Sequence, residues 1–155
     1  MTKECMQQFT LRITQANPTQ LVVILYEMLL CYLEDAQNAK DRTELKEAVR
    51  KARGCMNELM NSLHLEYEPA PALQQLYLYC IKRLAALEGK GDVQAIVDIR
   101  KVIQPLHDAY AQIEKLNEKG AVMNNSQTVY AGLTYGRNTL TENMADQGTN
   151  RGMLV

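Results

Sequence analysis

The chain has 155 residues, a formal net charge of −1 and a charged fraction of 23%. That is one domain's length with room for a real core, and the balanced charge argues against nucleic-acid or anionic membrane partners. The first dozen residues, MTKECMQQFTLR, have no apolar h-region, and the longest apolar run is too short to span a bilayer, so a cytoplasmic protein without membrane insertion is expected.

Residues 4 to 14 place Cys5, Met6, Phe9 and Ile13 at a spacing that fits a short one-sided helix. A helix that short is unstable alone and must dock on something or stay mobile.

The next helix is predicted from Pro18 to Lys40. Asn17 is a suitable N-cap, Pro18 suits the first helical position, and Gln20 sits where a capping-box partner belongs. Its core, LVVILYEMLLCYL from Leu21 to Leu33, is apolar nearly all round except for Glu27. A bundle helix needs only one apolar stripe, about 100° wide. Two seams are visible: Leu21, Leu25, Met28 and Tyr32 form one, and Val22, Tyr26, Leu29 and Leu33 the other. One faces the core and the other is available to a partner. We assign the second seam outward, although periodicity allows the reverse equally.

A third helix is predicted from Thr43 to Leu65, opened by Asp41 with Glu44 in a capping-box arrangement. Pro69 and Pro71 interrupt the chain. A fourth follows from Pro71 to Glu88, with Gly89 and Gly91 as stops. The fifth runs from Asp92 to Lys119, with Pro105 expected to bend it and Gly120 to end it. Long periodic segments joined by short connections predict an all-α, antiparallel up-and-down four-helix bundle with a short N-terminal helix. The boundaries are a bundle domain at 1–119 and a glycine-rich, loosely structured extension at 120–155, which holds five of the eight glycines.

Chemistry-bearing motifs are missing. The four cysteines (Cys5, Cys31, Cys55 and Cys80) lie far apart with no C-x-x-C pair, which favours free thiols over a metal site. Asn61 and Gln104 stand three residues before the two histidines, His64 and His107, where a di-iron bundle requires glutamates. No phosphate-binding glycine loop, zinc-protease motif or nucleophile elbow occurs. Neither an enzyme nor a cofactor is expected.

An aromatic residue, Phe9, is followed by Gln15-Ala16-Asn17-Pro18 and by Leu21 through Leu25-Tyr26-Glu27. Farther on come Lys51-Ala52, then Glu58-Leu59-Met60-Asn61-Ser62-Leu63, the Leu73 to Tyr79 segment, and Leu106-His107-Asp108-Ala109-Tyr110. In order and spacing, residues 5 to 117 resemble the flagellar secretion chaperone family FliS. Met28 stands where that family has glycine, Glu27 where it has aspartate, and His107 and Tyr110 where it has arginine and tryptophan. The resemblance implies a cytoplasmic chaperone with flagellin's C-terminal region as partner. It would prevent early polymerisation and hand flagellin to the export apparatus. It also implies that the N-terminal helix covers the client groove, with Phe9 and Ile13 making that contact. Val22, Tyr26, Leu29 and Leu33 complete the expected partner-binding set. The competing expectation is a non-enzymatic bundle that binds some other amphipathic helix.

Overall fold

The computed structural model describes residues 1–123, with side chains described to residue 118. Its helices are α1 (Lys3–Gln15), α2 (Pro18–Gln37), α3 (Arg42–Asn61), α4 (Ala70–Lys90) and α5 (Gln94–Met123). No strand occurs among the described residues. The expected loosely structured extension lies outside them from residue 124 onward.

Local chemistry sets most helix ends. Thr2 caps α1, its side chain accepting the Cys5 N–H. At α2 the box closes both ways: Asn17 accepts the Gln20 N–H at 2.8 Å, and the Gln20 carbonyl accepts the Asn17 N–H at 3.0 Å. At α3 the reciprocal bond is displaced by one residue. Asp41 accepts the Glu44 N–H, but the Glu44 carboxylate takes the N–H of Lys40. Gly91, at φ 67°, ends α4 in the left-handed region where a Cβ is disfavoured. Gly89 remains helical, and α5 passes through Gly120 to Met123. A lone glycine weakens a helix by about 1 kcal/mol relative to alanine and does not stop it without such a turn. The α2 and α3 helices end earlier than predicted, at Gln37 and Asn61.

The four long helices form an antiparallel up-and-down bundle. Helix α2 packs on α3 and α5, and α4 closes the ring between those two. Short connections enforce this order, since neighbours in sequence must return side by side. Arg53 of α3 meets Glu88 of α4 at 2.7 Å, and Arg83 of α4 holds Asp92 and Asp98 at the α4–α5 turn. Across the centre, Tyr26 of α2 and Tyr77 of α4 share a hydroxyl–hydroxyl hydrogen bond, and the Tyr26 ring tilts against Tyr110 of α5. The short α1 lies outside the ring, on α2.

The apolar character of α2 follows from this position. Val22, Tyr26, Leu29 and Leu33 are at most 1% exposed and lie in the central cluster with Met56, Leu59, Leu84 and Ile99. The outward assignment of that seam is therefore reversed: it is the innermost face of the bundle. Leu25 and Tyr32 of the other seam are also buried, while Leu21 and Met28 are partly covered. Helices α3, α5 and the diagonal α4 account for the inner faces, and α1 covers what is left.

Candidate partner-binding site

One face of α2 lies beneath α1. Three contacts fix the two helices antiparallel. The Met1 amino group meets Asp35 at 2.6 Å, the Tyr32 hydroxyl donates to Met6 Sδ at 3.4 Å, and Arg12 Nη1 donates to Glu27 Oε1 at 2.7 Å. Phe9 is the only side chain of α1 that is buried. The Arg12 guanidinium lies 5.6 Å from the Phe9 ring centroid. Ile13, expected beside Phe9 in the contact, is 36% exposed, and Leu11 on the outer face is 59% exposed.

The ridge that α2 turns towards α1 runs through Ile24, Glu27, Cys31 and Asp35, with Met28 and Tyr32 at its side. This spacing of three and four residues is one helical stripe. Ile24 is 3% exposed, yet neither it nor Phe9 belongs to the central core cluster. A cleft of about 210 Å³ opens beside it, lined by Arg12, Gln15, Gln20, Ile24 and Glu114. This third ridge is what the two-seam reading missed. Its signal was Glu27, the one charge in the run: a carboxylate on a wrapped helix marks the face with access to water and to cations.

Glu27 links three helices. Its second oxygen lies 3.1 Å from His107 Nε2 of α5, and His107 Nδ1 lies 3.0 Å from Asp108. Burial alone would raise the Glu27 pKa, but hydrogen bonds from Arg12 and His107 outweigh it and hold the carboxyl below its ordinary value. Burial would likewise depress His107, and its bonds to Asp108 and Glu27 reverse that and lift it. At neutral pH Glu27 is thus an anion held between α1 and α5. Two of the four positions where this chain differs from the resembled pattern, Glu27 and His107, form one contact.

The expected partner residues divide accordingly. Phe9 sits under α1 against the bundle, Ile13 is at its edge, and Val22, Tyr26, Leu29 and Leu33 are inside the bundle. Among the described residues no group of three His, Cys, Asp or Glu is placed to hold a metal ion, and no helix is long and apolar enough to cross a membrane.

The described residues define an antiparallel four-helix bundle with a short helix docked on its surface. The family is defined by sequence: a model of the flagellar protein FliS matches residues 1–117, and the chain belongs to that family. It is accordingly a flagellar export chaperone in class. No curated protein matched the chain.

Proposed function

We propose that the protein binds the C-terminal helical region of flagellin in the cytoplasm, keeps it from polymerising and delivers it to the export apparatus, with α1 as a displaceable cover. The observation that carries this reading is the α1–α2 contact. One buried aromatic ring, the partly buried Met6 and a few polar contacts hold 13 helical residues over a ridge that includes Ile24, Met28 and Cys31. A client helix with apolar anchors one turn apart can replace Phe9 on that ridge and continue past the ends of α1. A long client surface is what coupled folding needs, because ordering a flexible segment costs several kcal/mol that the contact must offset. Phe9 and Ile13 act here as client mimics. Val22, Tyr26, Leu29 and Leu33 support the ridge from below.

The test is co-purification with full-length flagellin and with flagellin lacking its C-terminal helix. Capture of the full-length protein alone is expected; equal capture of both removes the proposed client segment. Amide exchange reports the cover separately. Exchange in residues 3–15 is expected to accelerate when flagellin binds, and an unchanged rate there rules out displacement.

A further inference from the structure

The α1–α2 contact holds two cysteines, Cys5 on α1 and Cys31 on the ridge of α2. Met1 lies against Asp35, Met6 against Tyr32 and Arg12 against Glu27. In antiparallel helices, one turn forward on the first pairs with one turn back on the second. Cys5 directly precedes Met6 on α1, and Cys31 directly precedes Tyr32 on α2, so both thiols lie within one residue of the Met6–Tyr32 contact. Both thiols are free and partly exposed. Cys5 is also among the groups whose charge is felt at Cys31.

We propose that Cys5 and Cys31 form a reversible disulfide site, closed by a small-molecule disulfide such as oxidised glutathione, that staples α1 onto α2. The Cys5 thiolate attacks one sulfur of the oxidant. The oxidant's S–S bond breaks, a mixed disulfide forms on Cys5, and one glutathione leaves as a thiolate that takes a proton. Cys31 loses its proton to water and attacks the Cys5 sulfur, and the second glutathione leaves. Two protein thiols are oxidised to one disulfide, and the oxidant is reduced to two thiols. Burial, then the neighbouring Cys5, Asp35 and Glu34, raise the Cys31 thiol above its ordinary pKa. That suits the second step, where proximity and not a high thiolate fraction drives the attack.

The other two cysteines act as internal controls. Cys55 and Cys80 are 5% and 0% exposed, and burial pushes each thiol up to about 12. Cys31 is near enough for its charge to be felt at Cys55, but Cys55 is too buried to meet an oxidant and too weakly acidic to start the exchange. Its presence makes the expected pairing a specific statement.

The consequence for function rests on the proposed role of α1 as cover: the oxidised chaperone is locked shut. The experiment treats the full chain with oxidised glutathione, maps peptides without reduction, and repeats the mapping after dithiothreitol. A Cys5–Cys31 peptide that disappears on reduction is expected. Cys31→Ser should instead retain glutathione on Cys5, and Cys5→Ser should form no link. Equal, persistent glutathione on Cys5 in wild type and Cys31→Ser would overturn the site, as would a Cys31–Cys55 link. Oxidation should slow amide exchange in residues 3–15 about tenfold and weaken binding of a flagellin C-terminal peptide about tenfold. If the link forms and exchange slows while peptide affinity is unchanged, the disulfide site stands and the cover reading falls.

Discussion

Helix α2 is buried on two sides by different physics. Towards α3, α4 and α5 it presents Val22, Tyr26, Leu29 and Leu33, all essentially without exposure, packed on apolar side chains from three helices. Towards α1 it presents a ridge with a carboxylate, a thiol and an aspartate, matched by one buried ring and several polar contacts. The inner side is area-driven and tolerates no opening, because each side chain removed leaves a void among fixed neighbours. The outer side is held by few apolar contacts and by bonds that water can replace, which is the profile of a segment with low opening free energy. One helix thus serves as structural axis and as docking ridge, which is why its sequence is apolar nearly all round.

The sharpest way to break this comparison is to put the same insult on both sides. Leu29→Asp places an unpaired carboxylate in the bundle centre and should abolish cooperative folding, read as loss of the helical circular dichroism signal. Leu33→Ala should cost about 3 kcal/mol, measured by denaturant unfolding. If Leu29→Asp melted like the wild type, the inner face would be misassigned and the original outward seam restored.

The architecture was legible in the sequence because bundles are written in caps, periods and breaks. Asn17-Pro18 with Gln20, Asp41 with Glu44, and Gly91 all act through local chemistry that needs no tertiary contact. The orientation of α2 was not legible. Hydrophobic periodicity ranks faces by contrast with polar residues, and residues Leu21 to Leu33 offer almost no contrast. Only Glu27 breaks the run, and its meaning depends on Arg12 and His107, which lie 15 and 80 residues away in sequence. Spacing within a helix cannot report partners that distant. Phe9 was legible as an apolar position on a short helix, whereas its burial against α2 required the fold.

The outer side should respond to Phe9→Ala quite differently. Loss of the one buried ring removes roughly 2 kcal/mol of apolar burial from a helix held otherwise by the partly buried Met6 and polar contacts. Exchange protection in residues 3–15 should fall while the bundle's own unfolding midpoint stays near wild type, because α1 adds no buried residue to the central cluster and only the partly buried Met6 packs against it. If α1 is the cover, flagellin should bind this variant more tightly, since the opening cost is no longer drawn from the binding energy. A loss of midpoint as large as that of Leu33→Ala would show that α1 is an integral layer of the bundle and erase the distinction between the two sides.

The smallest effect is the dependence of the outer contact on pH. His107 has a folded pKa above its ordinary 6.5, held there against burial by Asp108 and Glu27. Its contribution is therefore fully present below about 6.5 and is lost as the pH rises through the raised folded value. Glu27 works in the opposite direction. Its folded pKa is below the ordinary 4.5, so its contribution is present above that value and is lost as the pH falls through the lowered one. The two windows overlap in mildly acidic solution, where Glu27 is ionised and His107 protonated, and the tie between α5 and α2 is strongest there. The bond from α1 to Glu27 follows the Glu27 carboxylate on the acid side. On the alkaline side α1 loosens only as far as the Glu27 carboxylate moves when imidazolium support is withdrawn. His107→Gln should flatten the alkaline limb of stability against pH and shrink the acid limb to the part that Arg12 supports, and Glu27→Gln should flatten Glu27's share of the acid limb while leaving the part of the alkaline limb that Asp108 supports. An unaltered alkaline limb in His107→Gln would assign that titration to another group and remove α5 from the contact that holds α1.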